Sequence, residues 1–166
     1  MTRRPAEWGM SMSKWVMPVL MAWLAWAAPS PAQSVAGGAE AEVLAVVNGL
    51  FEGMRRVDSA MVRPLFHARA RLISMDLRGT GSPARVEESL DGFIQSIGRP
   101  RTEVFDERLS NVKTMIDGSL ASVWADYKFF RGTTLSHCGV DHFLLVKEET
   151  AWKIIELADT RRRENC

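Results

Sequence analysis

From Glu40 onward the apolar positions Val43, Leu44, Val47, Leu50, Phe51 and Met54 recur at intervals of three and four. That stripe predicts an amphipathic helix. Asp58 then offers an N-cap to a short second helix carrying Met61, Val62, Leu65 and Phe66, with Pro64 limiting its regularity and His67 at its expected end. Arg71 to Leu77 is a brief strand candidate, followed by a loop at Gly79-Thr80-Gly81. Ser82 as cap and Pro83 at the first helical position predict a third helix with the stripe Val86, Leu90, Phe93, Ile94 and Ile97, stopped by Gly98 and Pro100. From Glu103 the period changes to about two and stays there. Strands are expected over 104–116, 119–131, 136–147 and 151–160, with the Asp117-Gly118 dipeptide as the strongest hairpin signal. Gly132 and Glu148-Glu149-Thr150 mark the other reversals.

Three helices with one short strand, then a four-strand meander, predict an α+β fold: a cone-shaped, strongly curved antiparallel sheet packed on three N-terminal helices. The space between sheet and helices is where a ligand would sit.

The chain start changes the picture. Arg3, Arg4 and Lys14 precede an apolar run from Trp15 to Ala28, which falls short of the roughly 20 residues a membrane span needs. With the small-residue tail Pro29-Ser30-Pro31-Ala32 it reads as a secretory signal, cleaved after Ala32 or Ser34. The expected organisation is a signal peptide over 1–32, a short linker over 33–38 and one domain over 39–166, in the periplasm or secreted. The expected mature domain carries 18 basic and 19 acidic side chains. So balanced a surface offers no electrostatic footprint for nucleic acid, or for a membrane once the signal is removed.

Two cysteines in an oxidising destination favour a bridge between Cys138 and Cys166. Pairing of the last two strands brings Cys138 beside 159 or 160, and the remaining residues can fold back to it. Free thiols, an intermolecular link and a nucleophilic Cys138 activated by His137 are the alternatives. The last is poorly placed, because adjacent strand residues point apart.

Several strings resemble the nuclear transport factor 2-like superfamily, with its SnoaL-like polyketide cyclases, ketosteroid isomerase and a lumazine-binding branch. They are Asp58-Ser59-Ala60-Met61-Val62 leading to Phe66-His67, Ala121-Ser122-Val123-Trp124 with Tyr127, and Ser136-His137-Cys138-Gly139-Val140-Asp141. Phe143-Leu144-Leu145-Val146, Trp152-Lys153-Ile154 and the tail Asp159-Thr160-Arg161-Arg162 ending in Cys166 continue it. The resemblance spans nearly the whole expected domain. It implies a cone enclosing a pocket, and in members with known acid/base chemistry a carboxylate and a hydrogen-bond donor on the inner wall. It also implies that the superfamily's range of enzymes, binding proteins and homodimeric interaction modules is open to this chain. The first helix lacks a tyrosine, which sets the chain apart from a steroid isomerase.

Alternation puts His137, Asp141, Phe143 and Leu145 on one face of their strand and Val140, His142, Leu144 and Val146 on the other. The resemblance favours the first face as the inner one. His137, Asp141 and Tyr127 are then the candidate catalytic residues: a titratable base, an acid and a phenolic donor, sufficient for proton abstraction or dehydration. The alternative is a structural hydrogen bond of His137 and Asp141 with each other or with the hairpin backbone. The expected pocket lining is Phe51, Phe66, Phe93, Phe129, Phe143 and Trp152, the last also pinning the final strand against the helices. Asp159 with Arg161, Arg162 and Arg163 is either an anion-binding rim or a paired, solvated cluster. His137 and His142 lie on opposite faces, and His67 is expected to cap the second helix, so no metal site is expected. No cofactor is expected either. The expected function is binding of a small, largely hydrophobic molecule, with an isomerase or dehydratase and a non-catalytic homodimeric domain as alternatives.

Overall fold

The computed structural model describes residue 2 and residues 31–166 except 80, with side chains from 37 onward. The expected signal segment therefore lies almost wholly outside the described residues. Helix α1 spans Pro31–Arg56, so the stretch 33–38 is helical backbone and not the linker expected there. Its stripe of Val43, Val47, Leu50 and Phe51 is buried as the 3.6-residue period requires. Val57 adopts φ 58 and turns the chain. The Asp58 carboxylate then accepts from the Met61 amide at 2.9 Å, starting α2 at Ser59–Val62. Gly53 is what lets the two helices meet, since a Cβ there would stand 2.2 Å from Val62 Cγ2.

A single 3-10 turn, Arg63–Leu65, carries Pro64 and leads into β1, Phe66–Asp76. This corrects the expected end of the second helix at His67. His67 is a strand residue whose Nδ1 accepts from the Arg69 amide at 3.1 Å, so it caps no helix. The third helix is also shorter than its stripe suggests. Ala84–Glu88 forms β2, and α3 occupies only Leu90–Ile97, with Ser89 as the N-cap, its hydroxyl accepting from Gly92 at 3.1 Å. Ser82 and Pro83 do not start it.

The four long strands follow the alternation: β3 Phe105–Asp117, β4 Leu120–Arg131, β5 Thr134–Glu148 and β6 Ala151–Arg161. The sheet order is β2-β1-β6-β5-β4-β3. All neighbours are antiparallel except β1 and β6, which run parallel, so the sheet is mixed where an antiparallel one was expected. That contact joins the first strand to the last and is invisible to a local hairpin rule. Bulges interrupt the pairing between Ser110 and Lys113 on β3 and between Leu144 and Leu145 on β5. Bulges bend strands and increase their twist. Here they help the sheet curl over α1 and α3.

The core lies between α1 and the inner face of the sheet. Phe143, Leu145, Ile154 and Val123 are fully buried against Val43, Val47 and Leu50, each contributing about 1.5–3 kcal/mol by leaving water. Cys138 and Cys166 are joined, closing 28 residues of sequence. Cys138 also exchanges both backbone hydrogen bonds with Arg162, at 2.9 and 2.8 Å, so tail and strand are held side by side as the expected bridge requires.

Candidate functional site

Where the core stops, toward the far ends of β3 to β6, the inner face opens into a cavity of about 310 Å³. Its walls are apolar: Leu50, Phe51 and Met54 from α1, Phe93 and Ile97 from α3, and Phe105, Phe129 and Leu157 from the strands. The period of two sets its floor. Alternate residues Phe105 and Glu107 on β3, Tyr127 and Phe129 on β4, His137 and Asp141 on β5, and Leu157, Asp159 and Arg161 on β6 all face inward. Register then aligns them across the sheet. Glu107, Phe129 and His137 form one row, and Asp141 stands directly opposite Asp159.

Two acids opposite each other repel, and the floor answers this in two ways. Asp159 is held in a hydrogen-bonded cluster: it accepts from Arg161 Nε at 2.8 Å, from the Ser74 hydroxyl, and from Tyr127 at 3.3 Å. The Tyr127 hydroxyl also reaches the Thr160 carbonyl at 2.9 Å. Asp141 has no such support. It is 3% exposed and, among the described residues, no N–H or hydroxyl reaches its Oδ2; its polar neighbour is the carboxyl of Glu107. Burial, and then the adjacent Glu107 charge, push Asp141 well above the usual carboxylate range. Burial likewise raises Glu107 to about 7, although it keeps access to solvent through the cavity. Both carboxyls are thus held above the usual carboxylate range, each by its own burial first.

Burial, reinforced by the charges of Arg161 and Arg78, lowers His137 to about 4 and leaves a neutral imidazole. Its Nδ1 lies 3.2 Å from the Ser136 hydroxyl, and its ring packs against Tyr127 and Phe129 with centroids 5.7 and 4.9 Å apart. Burial and the nearby Asp159 raise Tyr127, so the phenol stays protonated. His137, Asp141 and Tyr127 thus share one cavity without bonding one another. Each is engaged with a different neighbour.

The expected aromatic lining divides. Phe51, Phe93 and Phe129 line the cavity. Phe66, Phe143 and Trp152 do not, because they sit in the core behind it: Phe66 packs edge-on to Phe93 at 5.9 Å and Phe143 to Phe51 at 6.0 Å. Trp152 is 4% exposed and its indole donates to Glu42 at 3.2 Å, tying β6 to α1. His142 lies on the outer face, with Nε2 2.9 Å from the Ser122 hydroxyl and its ring 6.0 Å from that of Trp124. Among the described residues, no three His, Cys, Asp or Glu side chains are grouped so as to hold a metal ion. Sequence reasoning missed Glu107 and the inward turn of Asp159 and Arg161. The signal for Glu107 was its place midway between Phe105 and Leu109 on one strand face.

A curved mixed sheet packed on helices, with a cavity between them, defines an α+β pocket domain with the fold of nuclear transport factor 2-like proteins. The chain belongs to the family described as "Putative lumazine-binding", whose model matches residues 38–157. It is similar to an NTF2-like protein with a cystatin-like fold from Novosphingobium aromaticivorans, with TM-score 0.63 and 10% identity over 78% of this chain and 86% of that one. An NTF2-like protein of unknown function from Shewanella baltica gives TM-score 0.57 and 20% identity over 81% and 98% of the two chains. A "putative dehydratase from the NTF2-like family" of Streptomyces avermitilis gives TM-score 0.59 and 15% identity over 80% and 98%. No curated protein matches the chain in sequence.

Proposed function

We propose that this protein binds one small, largely hydrophobic molecule in the cavity, with the apolar body among Phe51, Phe93 and Phe129 and a polar group on the floor at Glu107, Asp141 and Tyr127. The observation that carries this reading is the gathering of polar side chains, Glu107, Tyr127, His137, Asp141, Asp159 and Arg161, on the floor of a space of about 310 Å³ whose other walls carry Leu50, Phe51, Met54, Phe93 and Ile97, a layout suited to a small-molecule site. The family's name, with its reference to lumazine binding, agrees with a small-molecule ligand. Native mass spectrometry of gently purified protein tests it. A retained small molecule in the wild type, lost when Leu157→Trp fills the cavity, is the expected result. Retention of the same molecule by Leu157→Trp contradicts it.

A second reading, an isomerase or dehydratase, is favoured by the neighbouring carboxyls of Glu107 and Asp141, both pushed above the usual carboxylate range. Such a pair offers a base and an acid side by side: one carboxylate takes a proton from carbon while Tyr127 or the protonated neighbour hydrogen-bonds the substrate oxygen. His137 neutral beside them serves as an alternative base. The Streptomyces protein's description as a dehydratase points the same way. Turnover of a β-hydroxy carbonyl compound that is lost in Asp141→Asn supports this reading; equal turnover in the variant removes it.

Two further properties belong to the proposal. Export is supported by the basic and apolar start of the chain and by the disulfide, and the N-terminal sequence of protein recovered from the periplasm or medium tests it. A homodimer is supported by the outer sheet face, where Trp124 and Leu120 are each 49% exposed and Met115 is 66% exposed. Sedimentation of the wild type against Trp124→Glu tests that contact.

A further inference from the structure

The cavity holds more acid than base. Glu88, Glu107, Asp141 and Asp159 face it, against the guanidiniums of Arg101 and Arg161. Both guanidiniums are already occupied. Arg161 pairs with Asp159 at 2.8 Å, whereas Arg101 donates to the carbonyls of Ser96 and Ile97 at 2.6 and 2.8 Å and lies 4.0 Å over the Phe105 ring. Glu88 is exposed at the rim. What remains in the interior is the Glu107 and Asp141 pair, with an almost wholly buried acceptor, Asp141 Oδ2, that no N–H or hydroxyl among the described residues satisfies. A buried, unsatisfied acceptor of a charged group is costly unless something arrives to partner it. The pair is not part of a metal-ligand cluster among the described residues. Around it stand the rings of Phe51, Phe105, Tyr127 and Phe129, whose negative faces attract a cation and repel an anion.

We propose that the ligand of this cavity is a protonated organic amine on an apolar body, with its ammonium against the carboxyls of Glu107 and Asp141 and its body against the cavity's phenylalanines. This rests on the small-molecule reading above and narrows it to one chemical class. The ammonium supplies N–H donors that the two carboxyls lack, and its positive charge offsets the repulsion between them. The groups facing the pair are Tyr127 on β4, His137 on β5, Asp159 and Arg161 on β6, and Arg101 after α3. Among these Arg161 opposes an added cation and Asp159 offsets it, so the carboxyl pair decides the balance.

The test uses three probes of one shape: 3-phenylpropylamine, 3-phenylpropan-1-ol and 3-phenylpropionate, titrated calorimetrically into the full chain at pH 7.5. The amine is expected to bind about tenfold or more tighter than the alcohol, with the carboxylate weakest. Glu107→Gln is expected to remove most of that preference, and Asp141→Asn is expected to do the same. At pH 6 amine binding should also release a proton, read as a binding heat that depends on the ionisation heat of the buffer. If the alcohol or the carboxylate binds as tightly as the amine, and Leu157→Trp abolishes that binding, the amine assignment is overturned while the small-molecule reading stands. If none of the three binds, both fall.

Discussion

Gly139 is the window through which Tyr127 reaches the strand beyond it. A Cβ at Gly139 would lie 1.7 Å from the Thr160 carbonyl oxygen and 2.8 Å from Tyr127 Cε1. The bare backbone lets the ring cross β5 and place its hydroxyl 2.9 Å from that same carbonyl. Three strands are pinned at one point on the cavity floor.

Gly139→Ala should therefore be among the most harmful single-methyl changes in the chain. Both neighbours are held by the sheet, so the added carbon forces a backbone shift. We expect a loss of about 2 kcal/mol or more, read as a lower midpoint in urea. A loss below 0.5 kcal/mol, on the order of an ordinary surface change, would contradict the close approach.

Tyr127→Phe keeps the ring and removes the hydroxyl. The Thr160 carbonyl and one Asp159 contact are left without that donor, which should lower stability by about 1–3 kcal/mol. Any small-molecule affinity should fall with it. Unchanged stability would mean the hydroxyl is not bonded as described.

The carboxyl pair makes stability depend on pH with an unusual sign. Glu107 keeps its proton to about 7 in the folded protein, whereas unfolded glutamate releases it near 4.3. The folded state binds more protons across that window, so this group destabilises the fold as pH rises through it. His137 works the other way, because its lowered value of about 4 removes stability as pH falls below the ordinary histidine range near 6.5. Comparing variants separates the two. Glu107→Gln should gain on the wild type by on the order of 2 kcal/mol between pH 5 and pH 8, followed by thermal unfolding across that range. A constant difference would show that Glu107 titrates normally.

Cys166→Ser opens the 28-residue span closed by the bridge to Cys138. Loop-closure entropy predicts a loss of roughly 3 to 4 kcal/mol. Reduction of the wild type should add two mass units, about the two hydrogens taken up by one disulfide, and should destabilise it by the same amount. Native protein with two alkylatable thiols would rule the bridge out.

The parts of this molecule that could be read from its sequence are those where one local rule acts alone. The stripe from Val43 to Met54 and the alternation after Glu103 place α1 and four strands, because one face of each is buried against the other. The β2 and α3 region could not be read this way. Ser82-Pro83 and Ser89 both carry helix-start chemistry, and every β2 residue from Ala84 to Glu88 is exposed, so burial writes no alternation there. The parallel contact of β1 with β6 joins residues such as Leu72 and Leu157, a pairing no local pattern encodes. The site was half legible for the same reason. Period two put His137 and Asp141 on one face and the family resemblance chose that face as the inner one, but which aromatics stop at the core and which reach the cavity depends on where the sheet curls away from α1. Phe143 and Phe129 differ in that respect alone. Glu107 looked like one more polar strand residue, because its partner Asp141 stands two strands away on β5 and no pairing rule joins them.

The account stands on the cavity being a binding site. Titrating isotope-labelled protein with 3-phenylpropylamine and mapping the amide shifts measures this directly. Shifts centred on Phe51, Phe93, Glu107, Phe129 and Leu157 are the predicted result. Shifts confined to the outer face around Trp124 and Leu120, or none at saturating probe, would contradict it.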